Sequence, residues 1–397
     1  MIETFAIAFL LTVGLIRLLM PMAAQLGMVD EPCIRKRHKG EIPLIGGLAI
    51  YAALVPIGLV APFWRAEHGL WLIALCLPLL LIGLADDRWE VSARKRFLLE
   101  ICCGLFAASY CGVRLQDIGH LLPNVGGTLM LLSIPLTVVG MVGVINSVNM
   151  TDGVDGLAGG LATLTFGALA ALSYPTHPEV GLQLVTFVAM LIGFLVFNSR
   201  FFGRKRAAIF LGDGGSIFIG FALAWYLIML SQGETPVIKP VDALWLVAVP
   251  LLDTMTIMTR RIQHGRSPFS ADREHLHHIL LLAGFGANRT VLIILSVQLC
   301  CILVALTSIH FGAAEWVIFF MFVAAFAVYY AAMSHAWKIM KRIKSFREWA
   351  GFEDRRNEDG ASAGRIPDLD RRKPRAAPEQ PPSPAADELK TEPSHLS

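Results

Sequence analysis

The sequence predicts an all-α, polytopic integral membrane protein. Of the 397 residues, 55% are hydrophobic and 16% are charged, whereas soluble domains carry about 25% charged residues. Apolar runs of roughly 20 residues recur along most of the chain, and each is long enough to cross the hydrocarbon core of a bilayer as a helix. Because lipid offers no partners for backbone polar groups, helical spans are the structure that fits this pattern.

The apolar runs define about eleven candidate transmembrane helices. The first begins MIETFAIAFL, with an acid and no basic residue ahead of the apolar run, which is typical of a transmembrane helix rather than a cleaved signal peptide. The fourth run is interrupted by CC and CG, and the sixth opens in glycines. The predicted spans lie near 2–20, 43–63, 69–85, 97–114, 129–147, 155–173, 181–198, 214–231, 241–258, 290–310 and 314–338.

The loops between these spans differ in positive charge. Seventeen Lys and Arg residues lie in the loops that follow odd-numbered spans, and three (Arg65, Arg114 and Lys239) lie in the loops that follow even-numbered spans. Since positively charged loops stay in the cytoplasm, the N-terminus is expected outside and the C-terminus in the cytoplasm. The apolar pattern predicts a transmembrane domain over residues 1–340. The polar, Pro-rich remainder, 341–397, is expected to be a disordered cytoplasmic tail.

Five polar clusters interrupt the apolar pattern, and all five map to the side predicted to be cytoplasmic. The first, RKRHKGEIPLIGG at 35–47, is either a basic loop beside anionic lipid or a phosphate contact through residues such as Lys39. The second, LADDRWEVSARKRF, places Asp86 and Asp87 at the end of an apolar helix, where acids oppose the helix dipole and repel each other. A divalent cation or a shared proton would relieve that repulsion. Arg94 either receives a phosphate headgroup or simply follows the charge rule for cytoplasmic loops.

The third cluster is NSVNMTDGVDGLAGG at 146–160. Asn146, Asn149 and Asp152 are spaced by three, so they share one face of a helix, and Asp155 continues the series. Polar groups at membrane depth are costly unless they face a cavity or a partner. Asp and Asn oxygens suit a hard cation, so a metal and phosphate site fits this cluster better than a structural hydrogen-bond cluster.

The fourth cluster, FLGDGGSIFIG, places Asp213 among three glycines at the start of a span. Backbone amides at a helix start attract anions, and a carboxylate there can hold Mg²⁺ that bridges to phosphate. A glycine-rich turn with no ligand is the alternative.

The fifth cluster, RSPFSADREHLHHILL, combines Arg273 with His275, His277 and His278. It lacks a clear set of four zinc ligands, so phosphate or sugar binding is favoured over a zinc site, with a packed loop as the alternative. Asp253, in the preceding run VPLLDTMTIM, is a further buried-acid candidate.

Four of these motifs coincide with a known family. DDRWEVSARKR, NSVNMTDGVDGLAGG, FLGDGGS and PFSADREHLHH, in this order, resemble the polyprenyl-phosphate N-acetylhexosamine-1-phosphate transferases over roughly residues 1–340. The resemblance implies that undecaprenyl phosphate attacks the β-phosphorus of a UDP-N-acetylhexosamine, giving the lipid-diphosphate-sugar and UMP, with Mg²⁺ or Mn²⁺ required. It implies a multi-pass enzyme of the bacterial inner membrane whose active site faces the cytoplasm. Membrane lipid but no nucleic acid is an expected partner, and a homodimer is compatible with the family.

The resemblance also implies roles for individual residues. The catalytic candidates are Asp86 and Asp87, on the lipid-phosphate side, and Asp152 and Asp155, facing the nucleotide and the transferred phosphate. The metal candidates are Asp213, Asn149 and Asp87. The substrate-binding candidates are Asn146, Arg94, Arg273, His275, His277, His278 and Lys39. Direct attack by the lipid phosphate and a covalent phospho-enzyme both remain open.

Two motifs favour one branch of the family. IPLIGG and PFSADREHLHH differ from the TPTMGG and APxHHHxE patterns of the phospho-N-acetylmuramoyl-pentapeptide transferases. They favour the branch that uses UDP-N-acetylglucosamine or a similar simple donor for the first membrane step of a cell-envelope glycan, such as O-antigen, enterobacterial common antigen or a teichoic-type polymer. The alternatives are the pentapeptide branch, a membrane transporter, and an inactive scaffold. A transporter would place ionisable residues near the bilayer midplane.

Overall fold

The computed structural model describes residues 1–30, 41–122, 126–201, 203–265, 267, 275–335 and 342. This part of the chain is mostly α-helical, with a short antiparallel pair of strands, β1 (Val29–Asp30) and β2 (Ile42–Pro43). Its helices are α1 (Ile2–Leu19), α2 (Gly46–Val60), α3 (Gly69–Trp89), α4 (Ala93–Ser109), α5 (Ser133–Thr151), α6 (Leu157–Ser173), α7 (Pro178–Asn198), α8 (Gly212–Leu230), α9 (Pro240–Leu246), α10 (Ala248–Gln263), α11 (Leu276–Leu282), α12 (Ala287–Phe311) and α13 (Glu315–Ser334). Short 3₁₀ turns occupy Met20–Met22, Pro62–His68 and Met130–Leu132.

Each of the eleven predicted spans contains a helix, but fewer qualify as membrane spans. Within the described residues, seven helices are long and apolar enough to cross a membrane, and an eighth is obtained if the bent pair α9 and α10 is one span. Helices α2 and α6 are apolar but have 15 and 17 residues, or about 22–26 Å of length at 1.5 Å per residue. Helix α4 begins ARKRFLLE, and its charged residues distinguish it from the apolar helices. The structure therefore supports a polytopic membrane protein with seven or eight clear spans.

Helix α8 lies at the centre of the bundle and is almost entirely buried. Its first turn approaches two neighbouring helices at glycines. A Cβ on Gly83 of α3 would lie 2.3 Å from the Cα of Gly214, and a Cβ on Gly47 of α2 would lie 2.3 Å from the Cα of Gly215. The glycines of IPLIGG and FLGDGGS thus allow three helix backbones to meet beside Asp213.

Helices α9 and α10 are bent by 85° at Val247. The side chain of Gln298, from α12, accepts a hydrogen bond from the Val249 amide at 3.0 Å and donates to the Leu246 carbonyl at 2.8 Å. Thr165 of α6 donates to the same carbonyl at 2.8 Å. Backbone groups that the bend would leave unpaired inside the bundle therefore have side-chain partners.

At the end of α8 far from Asp213, neutral amides hold the connections. Gln183 of α7 donates to the Phe63 carbonyl at 2.7 Å and accepts a hydrogen bond from the Tyr226 hydroxyl at 2.9 Å. Gln232, just after α8, accepts from the amides of Gln116 and Asp117 at 2.9 and 3.1 Å. These glutamines pin the loops at this end to the ends of α7 and α8.

Candidate active site

The acids of three motifs meet where α3 ends and α8 begins. Asp87, in the last turn of α3, accepts hydrogen bonds from the amides of Asp213 at 3.0 Å and Gly214 at 3.5 Å. Gly212 has a φ of +77°, and a Cβ there would lie 2.6 Å from Asp87 Oδ2. A glycine is required at this position both for the left-handed backbone and for the approach of Asp87. The start of α8 thus binds one carboxylate and presents a second.

Arg96 connects the two aspartate motifs. Its guanidinium, from the first turn of α4, donates to Asp86 and also to Asp213 Oδ2, the latter at 3.3 Å. Arg94, the predicted phosphate contact, is exposed and makes no hydrogen bond or ion pair with the described residues. Since the two residues are two positions apart, they lie on nearly opposite faces of the helix. Arg96 is therefore the basic side chain that α4 brings to the acids.

The amides of the third motif contact two different neighbours. Asn149 donates to Asp213 Oδ1 and to the Ser216 hydroxyl, both at 2.9 Å. Asn146, one turn earlier, donates instead to Glu100 of α4 at 2.6 Å. Glu100 is buried, and the sequence analysis did not select it. An acid inside an apolar run was the signal that would have found it.

Asp152 follows α5 and lies near the other acids. Burial, then the charges of Asp213, Asp87 and Asp155, raise the pKa of Asp152 to about 8. That pKa reflects burial first and, after it, several carboxylates gathered at one end of the bundle.

Asp155 differs from Asp152 because it forms a salt bridge with an arginine side chain. It accepts hydrogen bonds from the Arg200 guanidinium at 2.6 Å and from the Ala207 amide at 3.0 Å. It therefore ties the turn after α5 to the segment between α7 and α8.

The histidines lie beside the same turn. His277 is buried, and its Nε2 has no hydrogen-bond partner among the described residues. A Cβ on Gly153 would lie 2.3 Å from that nitrogen, so the imidazole packs directly on the turn between Asp152 and Asp155. Burial, then the neighbouring histidines, lower the pKa of His277 to about 3. The ring of His278 lies 4.2 Å from that of His277, centroid to centroid.

His275 is held by a buried carboxylate. Its Nδ1 lies 2.8 Å from Asp253 Oδ2, and both side chains are buried. The structure thus includes Asp253 in the histidine cluster. Lys39 and Arg273 lie outside the described residues.

The donor set at the start of α8 fits a hard divalent cation. No group of three or more His, Cys, Asp or Glu side chains forms a ready-made metal cage within the described parts of the chain. Mg²⁺, however, is usually held by one or two carboxylates together with water and substrate phosphates. Asp87 and Asp213 are adjacent and belong to a cluster in which like charge raises the pKa of Asp152. A cation bound there would relieve that repulsion.

Comparison with known proteins identifies the family to which the chain belongs. Residues 70–231 match the family described as "Glycosyl transferase family 4". The undecaprenyl-phosphate alpha-N-acetylglucosaminyl 1-phosphate transferase of Yersinia pestis is 34% identical over 341 residues, which is 85% of this chain and 93% of that protein. The chain belongs to this transferase family.

Other members show the same degree of similarity. Proteins of the same name from Escherichia coli K12 and Haemophilus influenzae are 34% and 33% identical, over 86% and 87% of this chain and 92% and 97% of their own lengths. The region matched to family 4 contains the acids from Asp86 to Asp213 and ends before Asp253. The alignments to the transferases extend over most of the chain, which confirms the family predicted from the four motifs.

Proposed function

We propose that this protein transfers N-acetylglucosamine 1-phosphate from UDP-N-acetylglucosamine to undecaprenyl phosphate. The observation that carries the proposal is the convergence of Asp86, Asp87, Asp152 and Asp213 at one end of a membrane helix bundle, in a chain that belongs to this transferase family. A lipid acceptor and a charged, soluble donor can meet at such a place. The family membership supports this simple donor over a muramoyl-pentapeptide.

The proposed reaction exchanges one phosphoanhydride bond for another. An oxygen of the lipid phosphate forms a bond to the β-phosphorus of the donor, and the bond from that phosphorus to the bridging oxygen breaks, releasing UMP. Phosphoryl transfer depends mainly on positioning and on neutralising charge. A lipid phosphate is already ionised, so direct attack needs little activation by a base, and we favour it over a phospho-enzyme.

The position of each residue indicates which substrate group it would bind. Arg96, rather than Arg94, is assigned to the acceptor phosphate, because its guanidinium reaches Asp86 and Asp213. Asp86 orients that guanidinium. Asp152 and the histidine segment, His275–His278, are assigned to the donor diphosphate, because Asp152 adjoins Gly153 and His277 packs on that glycine. Asp155 fixes the turn through Arg200.

Asp87 and Asp213, with Asn149, are the residues assigned to a divalent cation. Mg²⁺ or Mn²⁺, when bound, would neutralise charge on the diphosphate as UMP departs. The chain's own contribution is to hold the two carboxylates side by side, with Asp87 fixed by the amides of the first turn of α8.

Two arguments support an orientation in the membrane: the distribution of Lys and Arg among the loops, and the cytoplasmic location of the donor. We assign the protein to the bacterial inner membrane, with eleven spans, the N-terminus outside and the site facing the cytoplasm, where UDP-sugars occur. Residues 1–340 form the transferase domain and 341–397 a cytoplasmic tail. The seventeen-to-three distribution of Lys and Arg supports this orientation. A homodimer is compatible with this arrangement.

The experiment uses purified protein in detergent with undecaprenyl phosphate and Mg²⁺. UDP-N-acetylglucosamine, UDP-N-acetylgalactosamine and UDP-N-acetylmuramoyl-pentapeptide are offered separately, and UMP is measured. Metal-dependent UMP release from UDP-N-acetylglucosamine, absent in Asp87→Asn, is expected. Release from the pentapeptide donor alone would move the protein to the other branch. A folded protein that releases UMP from none of the donors would overturn the proposal in favour of a transporter or a scaffold.

A further inference from the structure

Asp253 is a buried carboxylate that the proposed chemistry does not use. It lies on α10, 4% exposed. One oxygen, Oδ2, lies 2.8 Å from His275 Nδ1. The other, Oδ1, accepts hydrogen bonds from the Leu276 amide at 3.1 Å and from the Tyr329 hydroxyl of α13 at 2.7 Å. Burying a carboxylate is costly unless each oxygen is paired, and here both are.

These contacts define the start of the histidine segment, His275–His278. Asp253 fixes the first ring of the segment and the first amide of α11 with the same carboxylate. The rings of His275 and His277 are nearly parallel, with centroids 5.6 Å apart. The position of His277 therefore depends on how His275 is held.

His277 carries this constraint to the site. Its buried Nε2 lies against Gly153 with no room for a Cβ. Gly153 sits between Asp152 and Asp155, so a shift of the histidine segment would be felt by the turn that holds both acids. Asp253 itself contacts the first two residues of the segment, His275 and Leu276.

We propose that Asp253 is a positioning residue, which with Tyr329 docks the histidine segment on the Asp152–Asp155 turn and aims His275 Nε2 toward the donor diphosphate. The proposal rests on the proposed transferase function for its ligand. A carboxylate at Nδ1 requires the proton on that nitrogen and thereby fixes the role of Nε2. Asp253 is not assigned to contact any substrate.

The test variant is Asp253→Asn, which keeps the size of the side chain. Its amide would donate to Nδ1 and reverse the tautomer of His275. We expect the KM for UDP-N-acetylglucosamine to rise and kcat/KM for that donor to fall roughly 10–100-fold, by analogy with the carboxylates that orient metal-binding imidazoles. The KM for undecaprenyl phosphate should stay unchanged. A loss that is merely structural would lower the active fraction and leave both KM values alone.

The matched control is Thr256→Val. Thr256 lies on the same helix three residues later, is fully buried, and has a hydroxyl without a hydrogen-bond partner among the described residues. This change of similar shape should leave both KM values as in the wild type and hold or raise the thermal unfolding temperature, because it removes a buried hydroxyl that has no partner in the described part of the chain.

A second readout does not require activity. Diethyl pyrocarbonate modifies accessible imidazoles, and the rate at His275 and His277 can be followed by peptide mass spectrometry. We expect faster modification of both in Asp253→Asn and no change in Thr256→Val. Wild-type protein that releases no UMP would contradict the proposed function, while the modification rates would still test the docking.

Two measurements on Asp253→Asn can overturn the inference. If Asp253→Asn keeps the wild-type KM for the donor and the wild-type modification rates, Asp253 does not position the histidine segment. Should that variant fail to fold, Tyr329→Phe decides the question, because it removes one of the three hydrogen bonds and fills the same space. A severalfold rise in donor KM is expected for Tyr329→Phe, and unchanged kinetics and modification rates there would reject the proposal.

Discussion

The two ends of helix α8 differ in the polar side chains that surround them: charged at the start and neutral at the end. At its start, Asp213 lies with Asp86 and Asp87, and Arg96 is the cation that bridges to this group. At its end, Tyr226 and Gln183 form a neutral network in which donors and acceptors are matched. Matched neutral bonds hold loops to helices, whereas gathered like charges weaken the fold that holds them. The acidic end is therefore the one built for a ligand.

The largest effect should come from removing charge at the acidic end. Asp213→Asn keeps the acceptor for Asn149 but removes one negative charge. We expect UMP release to fall about 10²–10³-fold, the usual loss when one preorganised electrostatic group is removed. Thermal stability should stay level or increase, because repulsion among the acids decreases. Activity within threefold of the wild type, or a clear drop in unfolding temperature, would show that the acidic end of α8 serves stability rather than ligand binding.

A smaller effect is expected where backbones meet beside the acids. Gly83→Ala places a Cβ 2.3 Å from the Cα of Gly214, and overpacking of this kind costs about 1–3 kcal/mol. Gly140→Ala, on α5, is the control because a Cβ there meets nothing within 4 Å. Unfolding temperature in detergent should fall for Gly83→Ala and hold or rise slightly for Gly140→Ala. Equal behaviour of the two variants would show that the close approach of α3 and α8 is not required.

At the neutral end, Gln183→Leu should lower the stability of the fold and leave substrate binding unchanged. The change removes the partner of the Tyr226 hydroxyl and leaves the Phe63 carbonyl unpaired. A buried polar group without a partner costs about 1–3 kcal/mol. Chemical or thermal unfolding should register this loss, with the KM for each substrate as in the wild type. A change in KM with normal stability would mean that the two ends are coupled.

The smallest effect is a pH dependence of the metal-free protein. Because the pKa of Asp152 is raised to about 8 in the folded chain, ionising it opposes folding, and the penalty grows as pH rises from about 4 toward 8. Asp152→Asn should therefore lose part of the wild-type decrease in unfolding temperature over this range, by a few degrees at most. Identical pH profiles for the two proteins would show that neither burial nor the neighbouring carboxylates raise the pKa of Asp152 in the folded chain.

Helix positions and the gathering of the acids were predictable from the sequence. Apolar runs fix where helices form, and every predicted span contains one. The acids share one side because each ends or begins a span there, and contacts among Asp86, Asp87, Asn149 and Asp213 confirm their proximity. Their roles in the reaction remain predictions.

The choice among neighbouring residues was not predictable. RKR contains three cations, and the rotation of α4 decides which one faces the acids, so the sequence does not distinguish Arg94 from Arg96, whose guanidinium makes the contact. The pairing of Asp253 with His275 joins residues from separate helices, which spacing along the chain does not reveal. Seven or eight of the described helices are long and apolar enough to cross a membrane, whereas apolar helices of 15–17 residues match the hydrophobic pattern without reaching that length. Pro250 was the sequence signal for the break before α10.

The bend at Val247 sets an order for assembly during synthesis. The Val249 amide is paired with Gln298, 49 residues further along the chain, and unpaired backbone groups are not tolerated in lipid. Before α12 is inserted, the Val249 amide lacks this partner, and the bend exposes an unpaired backbone group. The bent form, which carries Asp253 to the histidines, is therefore completed late, after the ribosome has delivered the C-terminal helices. A chain truncated before α12 would contain all the acids from Asp86 to Asp253 and still lack the side chain that pairs the Val249 amide at the bend.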